Sequence, residues 1–444
     1  MKKNIFFLFL SATGGLNLLL NFASCNTTEP PQPPDETKPT LTLALDDVSC
    51  TEAWLQLTTK DLELPVELTL KQYNPTGDSV TQIFSLSTQD SLLYIDSLLP
   101  NQTYKFLLTM QQLNNRSNEL SVTTMDTTSH NFTFQSWTFG TIGSSTLYDV
   151  AIIDENNIWA VGEIMIADTS QNGYTTYNAV HWDGNDWELK RIPYYYNGQT
   201  FYNGIRAIFA FNENDIWFGI ASLIHWNGTI YQSISTSSFF PALVNKMWGT
   251  SSNDLYIVGT NGHIAHYSGT NWQRIESGTT LDIYDIWGNY NAKENKWDLL
   301  AVAAKRAVNF NKIILRISSN TVDASISTSG IPQSIYGIWF NSKTHYIVGS
   351  GIFRKTDINS SKPWTALHEG LTIYYIESVR GNEINDVMLC GSFGELLHFN
   401  GLTWKSYQDI FSGILFGDIA MKDNLVVIVG FNSNKAYIAF GHKY

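Results

Sequence analysis

From about residue 131 onward the sequence repeats a pattern of roughly 40 residues, and this repeat constrains the fold more than any other feature. The apolar residue that anchors the first strand of each copy recurs, at intervals of 58, 39, 39, 52, 41 and 40 residues, at Val150, Ile208, Met247, Ile286, Ile338, Val379 and Ile419. A period near ~40 residues with four short strands per copy is typical of a β-propeller. The sequence therefore predicts seven blades, with insertions in the first and fourth.

The last copy is one strand short. Strand patterns follow Ile419 at residues 426–429 and 437–440, and the sequence ends at Tyr444. A fourth strand is available at residues 131–139, where Trp137 matches the Trp that opens the outer strand of other copies. Pairing this early strand with the last copy would leave no open sheet edge. We therefore predict a seven-bladed propeller over residues 129–444, closed by an N-terminal strand.

Several copies contain a His–aromatic–x–Gly–x–x–Trp segment, as at residues 181–187, 266–272 and 398–404. These segments resemble the tryptophan-rich propeller repeats of secreted bacterial proteins, most of which have no assigned function. The resemblance implies the fold and no chemistry, because a fold does not fix a function.

Residues 40–128 show short alternating runs separated by turn signals, about seven strands in all. This count suggests an immunoglobulin-like β-sandwich. Residues 99–104, Leu-Pro-Asn-Gln-Thr-Tyr, resemble the fibronectin type III signature before strand F, which implies that Tyr104 forms a tyrosine corner. The family usually has a Trp at the end of strand B, where this chain has Leu57, so the resemblance depends on one motif and the strand count. The expected fold class is all-β, with a fibronectin-like sandwich followed by the propeller.

The N-terminus has the pattern of an export signal. A basic start and an apolar stretch lead to Phe22-Ala23-Ser24-Cys25, and residues 25–39 are rich in proline. Small residues before a Cys resemble the bacterial lipobox, although Phe22 stands where Leu is usual. The resemblance implies a signal peptide over residues 1–24, a lipid on Cys25, a proline-rich tether, and an outer-membrane lipoprotein of the cell envelope that faces the periplasm or the cell surface. The alternative is an ordinary cleaved signal with an incidental Cys.

Charge and cysteine content exclude several classes of partner. The net charge of −13 disfavours binding to nucleic acid. Cys50 and Cys390 fall in different predicted domains and are interpreted as buried apolar residues, and no metal-binding or cofactor-binding spacing occurs. We therefore expect no cofactor and no metal, and we assign no catalytic residue.

The repeated histidines His181, His225, His266 and His398 could suggest a ring of ligands. Residues repeated at one blade position away from the axis cannot converge on a common ligand, so we predict a structural role. Similarly, the Asp and Asn residues of the turns after these histidines are expected to hydrogen-bond their own backbone.

The insertions indicate the candidate binding residues. The first copy carries extra residues at 164–177 and a tyrosine-rich segment at 193–202, and the fourth copy carries Arg306 in the loop that corresponds to the first insertion. These connections are expected on the propeller face that usually binds ligands. Aromatic side chains there can stack on a sugar or anchor a protein, or can pack on one another. The candidate ligand-binding residues are Tyr194, Tyr195, Tyr196, Phe201, Tyr202 and Arg306.

Three functions remain open from the sequence. The first is a membrane-anchored extracytoplasmic binding protein, with the sandwich as spacer and the propeller as recognition head for a glycan or a protein. The second is a glycan-active enzyme, a hydrolase or a transferase, for which no carboxylate pair can be assigned. The third is a structural subunit of an envelope assembly. Non-repeated carboxylates at the axial mouth would favour the enzyme.

Overall fold

The computed structural model describes residues 39–110, 115–306 and 311–444. The predicted signal peptide, Cys25 and all of the tether except Pro39 lie outside these residues. The described chain is all-β, and its only helical segments are Gln408–Phe411 and two 3-10 turns at Thr260–Gly262 and Ser392–Gly394. No helix in these ranges has both the length and the apolar character needed to cross a membrane.

The first eight strands form two sheets packed face to face. One sheet has the order β1-β2-β5, and the other has the order β4-β3-β6-β7, with β8 also paired to β6. The core between them contains Leu55, Leu68 and Phe106. The Tyr104 hydroxyl accepts a hydrogen bond from the backbone N–H of Leu99 at 2.8 Å, which is the contact that a tyrosine corner makes. The strands are β1 Thr40–Val48, β2 Ala53–Lys60, β3 Val66–Tyr73, β4 Ser79–Leu86, β5 Asp90–Ile95, β6 Thr103–Met110, β7 Asn115–Arg116 and β8 Leu120–Thr123.

The rest of the described chain forms seven four-stranded antiparallel sheets, numbered here in chain order, and one two-stranded hairpin. Each of the first four consists of consecutive strands. Sheets 1 and 2 contain β10 Thr146–Asp154, β11 Asn157–Ala167, β12 Tyr174–Trp182 and β13 Trp187–Lys190, then β16 Ala207–Asn212, β17 Asp215–Gly219, β18 Leu223–Trp226 and β19 Tyr231–Ile234. Sheets 3 and 4 contain β20 Val244–Ser251, β21 Asp254–Gly259, β22 His263–Tyr267 and β23 Trp272–Glu276, then β24 Asp282–Asn291, β25 Lys296–Ala304, β26 Lys312–Ser318 and β27 Thr321–Ile326.

The last sheet, unlike the others, includes one strand that is distant in the sequence. Its outermost strand is β9, which comes before sheet 1 in the chain and pairs with β38. Sheets 5 and 6 contain β28 Ile335–Phe340, β29 His345–Gly349, β30 Ile352–Lys355 and β31 Thr365–Ala366, then β32 Ile376–Glu383, β33 Asp386–Gly391, β34 Leu396–Phe399 and β35 Trp404–Ser406. Sheet 7 contains β36 Leu415–Lys422, β37 Leu425–Asn432, β38 Lys435–Lys443 and β9 Phe132–Phe139.

The first strands of the seven sheets form a closed ring. Each contacts the first strand of the next sheet, and β36 of sheet 7 contacts β10 of sheet 1. The architecture is therefore propeller-like. The apolar residues that mark the period in the sequence are all buried on these strands: Val150, Ile208, Met247, Ile286, Ile338, Val379 and Ile419. These anchors occupy equivalent positions on the first strands, so the sequence repeat reflects the packing between neighbouring sheets.

The repeated histidines have a structural role. The Nε2 atom of His225 hydrogen-bonds Asp215 at 2.8 Å, and its ring stacks on Trp217 with a centroid distance of 4.1 Å. The same arrangement joins His266 to Asp254 and Tyr256. His181 and His398 make the corresponding hydrogen bonds with Asn157 and Asp386. Each histidine therefore links the second and third strands of its own sheet.

The turns after these histidines are closed by side-chain oxygens. Asp183 Oδ1 accepts the backbone N–H groups of Asn185 and Asp186, each at 2.9 Å. Asn227 and Asn400 make equivalent pairs of bonds in sheets 2 and 6. These contacts confirm the expected backbone role. The cysteines also behave as predicted, because Cys50 and Cys390 are free and buried.

The two packed sheets of β1 to β8, called here the sandwich, lie against one face of the propeller region, called here the lower face. The Asp46 carboxylate forms ion pairs with Lys293 and Lys343, which lie at the turns between the first and second strands of sheets 4 and 5. Glu52, which is buried, pairs with Arg354 of β30. Further hydrogen bonds join the segment after β8 to sheet 6. Except for the exposed Lys293, these charges are buried or half-buried, so the contact favours one orientation.

Candidate binding site

A bulge interrupts the first strand of six of the seven sheets near its start. The register against the second strand shifts at this point, which leaves one residue of the first strand unpaired. Bulges commonly redirect side chains next to functional sites. The extra residues, in ring order, are Tyr148, Asn245, Tyr284, Tyr336, Glu377 and Gly417. They line one depression of about 90 Å³ at the centre of the ring, on the upper face opposite the sandwich.

Buried charges form the floor of this depression. Lys246 Nζ lies 2.7 Å from Asp149 Oδ1 and 2.6 Å from Asp418 Oδ2. Arg380 makes two hydrogen bonds of 2.8 Å to the two carboxylate oxygens of Asp285. The sheets that these residues join are not adjacent in the ring, so the network bridges the axis.

Two of these aspartates also hold neighbouring strands. Asp149 Oδ2 accepts the backbone N–H of Ile208 at 2.9 Å, and Asp285 Oδ2 accepts that of Ile338 at 2.9 Å. Each bond joins one first strand to the first strand of the next sheet. The axial carboxylates are therefore used to connect the sheets.

The network contains three carboxylates and two cations. Burial raises the pKa of Asp149 to about 8. Burial also opposes ionisation of Asp418, but the charge of Lys246 and the hydrogen bonds at this carboxyl lower its pKa overall. Asp149 and Asp418 share the cation Lys246, and Asp285 is paired with Arg380, so the two cations offset much of the carboxylate charge of the network.

Tyrosines and arginines surround the depression. Arg306 lies over the rings of Tyr284 and Tyr336, with its guanidinium carbon 5.1 and 4.4 Å from their centroids, and it forms a 2.6 Å ion pair with Glu377. Across the axis, Arg206 lies 5.6 Å above the ring of Tyr148. The ring of Tyr375 lies 6.4 Å from that of Tyr336. We call this group the axial mouth: Tyr148, Arg206, Tyr284, Arg306, Tyr336, Tyr375 and Glu377.

Of the residues identified from the sequence, Arg306 lies in the axial mouth. The tyrosine-rich segment lies elsewhere, and its interpretation as a loop is wrong. Tyr194–Tyr196 and Gln199–Phe201 form a two-stranded hairpin, β14 and β15, turned by Asn197 and Gly198, which both have positive φ. Asn-Gly strongly favours such a two-residue turn, so the sequence itself already indicated a hairpin at this position.

The hairpin packs on sheet 2 through part of its aromatic set. The Tyr194 hydroxyl donates a 3.0 Å hydrogen bond to Ser222, and Arg191 lies 3.7 Å above the ring of Tyr202. Tyr195 and Tyr196 are each 52% exposed, and Phe201 is also exposed. The segment is therefore partly packed and partly open. The other insertion, at residues 164–177, lengthens β11 and β12, so that only a short turn separates them.

Most of the axial mouth was not found from the sequence. The signal that could have revealed it is positional, because its bulge residues all stand two places before the apolar anchor of the repeat. Cys25, the predicted lipidation site, lies outside the described residues. In the three described ranges, no group of three or more His, Cys, Asp or Glu side chains is placed to hold a metal ion.

The ring of sheets defines a β-propeller-like protein, and comparison with solved structures gives the same class. The structure titled "YCF48 bound to D1 peptide" matches with a TM-score of 0.51 and 15% identity, covering 72% of this chain and 100% of that chain. "YCF48 from Cyanidioschyzon merolae" matches with a TM-score of 0.48 and 15% identity, covering 69% and 98%. At this identity the likeness shows the fold alone. No family model and no curated protein matches the chain.

Proposed function

We propose that this chain is an extracytoplasmic binding protein that holds a segment of a partner protein at the axial mouth. The observation that carries the proposal is the composition of the mouth: four tyrosines and two arginines around one depression. Tyrosine and arginine are the residue types that contribute most binding energy in protein interfaces. Stacking and ion pairs already hold several of these side chains in place, so binding would cost little ordering entropy.

The use of the axial carboxylates supports binding over catalysis. A glycoside hydrolase needs two carboxyl groups that reach the substrate. Here Asp149, Asp285 and Asp418 are buried, paired with Lys246 or Arg380, and bonded to neighbouring sheets or to Ser378. Glu377 is paired with Arg306. The solved structure with a similar fold, by its title, holds a peptide, which is consistent with a protein ligand here.

The proposal includes attachment to the bacterial envelope. The N-terminal pattern supports a lipid on Cys25 and a proline-rich tether. The two packed sheets and the ring of seven sheets support a fibronectin type III-like sandwich that carries a seven-bladed propeller. β1 starts at Thr40 and reaches the propeller at Asp46, so the tether joins the end of the sandwich away from the propeller. The axial mouth is on the upper face, at the opposite ends of the strands that the sandwich contacts. The mouth would therefore point away from the membrane.

Peptide selection tests this proposal. The full chain carrying Cys25→Ser, to avoid lipidation, would be used to select peptides from a random display library. The affinity of the selected peptides would then be measured for Arg306→Ala combined with Tyr336→Ala. We expect affinity to fall by about tenfold or more, since each lost contact contributes on the order of 0.5–1.5 kcal/mol.

A matched double variant, Arg274→Ala with Tyr444→Ala, removes the same residue types from exposed positions outside the mouth. It should bind like the parent. Equal losses in the two double variants, or a library that yields no peptide, would reject the proposal. A carbohydrate-hydrolysing activity lost in Asp149→Asn with folding intact would favour the enzyme instead.

A further inference from the structure

A second cavity lies between the sandwich and the propeller region. This interdomain cleft has a volume of about 1240 Å³ and lies over the lower face of sheets 4 to 6. Its two sides are held in place by the ion pairs of Asp46 with Lys293 and Lys343, and of Glu52 with Arg354. The cleft is therefore formed before any ligand arrives. Large clefts at domain boundaries are common ligand sites.

The two walls of the interdomain cleft differ in chemistry. The sandwich wall combines apolar and aromatic side chains with Asp46 and Asp47. Leu92 is 48% exposed there, and the half-exposed ring of Tyr94 packs on Trp54 at 5.6 Å. The propeller wall carries hydrogen-bonding groups, among them Arg316, whose Nη2 donates a 2.8 Å bond to Asn359, and Lys362. A ligand with one apolar face and polar edges would match both walls.

Charge narrows the class of ligand. Seven Lys or Arg and six Asp or Glu line the cleft, whereas the whole chain has 27 basic and 40 acidic residues. The cleft is thus nearly neutral in an acidic protein, which disfavours a highly charged ligand.

We propose that the interdomain cleft binds a neutral or weakly charged oligosaccharide. A sugar ring has C–H faces that pack on aromatic and aliphatic side chains, and hydroxyl edges that both donate and accept hydrogen bonds. In the cleft, the C–H face would pack on Leu92 and Tyr94, and the hydroxyls would meet Arg316, Asn359 and Lys362. This site is separate from the axial mouth and does not depend on the function proposed for it.

The test uses the full chain with Cys25→Ser and immobilised oligosaccharides of glucose, xylose, mannose and N-acetylglucosamine. We expect at least one of these probes to bind. Leu92→Arg places a long charged side chain in the cleft and should lower affinity by at least about tenfold. Asn359→Ala, on the opposite wall, should weaken binding as well.

Leu99→Arg is the matched control, because Leu99 is 63% exposed on the same domain and does not line the cleft. It should leave binding unchanged. The proposal is overturned if no probe binds, if Leu99→Arg reduces binding as much as Leu92→Arg, or if binding is lost only in the axial-mouth variant Arg306→Ala/Tyr336→Ala. Peptide binding at the mouth is measured separately, so the two proposals can fail independently.

Discussion

The buried charges at the axis show how single residues hold the ring together. Lys246, from sheet 3, bridges Asp149 of sheet 1 and Asp418 of sheet 7, and Arg380 of sheet 6 holds Asp285 of sheet 4. The sequence shows these residues only as polar exceptions next to apolar anchors. Their partners lie up to 172 positions away, so no local pattern could pair them.

Removing the shared cation should therefore be costly. Lys246→Met leaves Asp149 and Asp418 buried without their counter-charge, and we expect the free energy of unfolding to fall by about 3–5 kcal/mol. Urea unfolding measures it. Lys105→Met, which removes an exposed ion pair with Glu119, should leave the free energy of unfolding nearly unchanged, because solvent screens this pair. Equal losses in the free energy of unfolding for the two substitutions would show that the axial network stabilises the fold no more than a surface ion pair does.

One buried and one partly buried histidine make the fold sensitive to acid. Burial lowers the pKa of His345, which is 7% exposed, to about 4, and burial with the nearby charges of His398 and Lys405 lowers that of His130 to about 4. Between pH ~6.5 and ~4 the unfolded chain binds protons at these histidines and the folded chain does not. The free energy of unfolding should therefore decrease as pH falls through this window.

The change for His345 is at most about 1.4 kcal/mol per pH unit. Urea midpoints for the parent and for His345→Gln, compared at pH 7 and pH 5, measure its share. The variant should lose less stability between these two pH values than the parent does. An identical pH dependence would mean that His345 titrates normally in the folded protein.

At the scale of elements, the repeat predicted strands well because the alternation of apolar and polar residues is local. It placed all seven anchors on buried first strands. The sequence repeat did not predict the bulges, because a bulge depends on how a strand pairs with its neighbour. The tyrosine-rich segment was expected to be only a connection between blades, although Asn197-Gly198 favours a hairpin turn.

Strand β9 is the element that closes the ring. It pairs with β38 along its length, and Trp137 packs against Trp182, Trp187 and Phe440. Deleting residues 132–139 would expose the edge of β38 and remove this aromatic contact between sheets 7 and 1. We expect aggregation or loss of a single cooperative thermal transition. A deletion variant that melts as the parent does would show that β9 is dispensable.

At the scale of the whole molecule, the sequence predicted a sandwich followed by a propeller, and the structure shows how the two are oriented. The sandwich contacts the lower face of the propeller region, and the axial mouth opens on the upper face. Arg306 was identified because it lies in a loop of the expected face. The other mouth residues were missed because five separate segments of the chain supply them.

The proposed lipid on Cys25 would attach the protein to the membrane. Cys25→Ser should abolish incorporation of a labelled fatty acid and release the protein from the membrane fraction. Labelling in growing cells, followed by fractionation, measures both effects. If the parent takes up no label and the variant remains membrane-bound, the lipoprotein interpretation is wrong.

Site-specific photocrosslinking tests most directly whether the axial mouth is a protein-binding surface. A photoreactive phenylalanine analogue would replace Tyr375, which is 49% exposed in the mouth, or Leu402, which is 50% exposed in the turn after β34 on the lower face. We predict a discrete protein adduct in cells from position 375, lost in Arg306→Ala, and no such adduct from position 402. Adducts of equal yield from both positions, or none from position 375, would contradict the account.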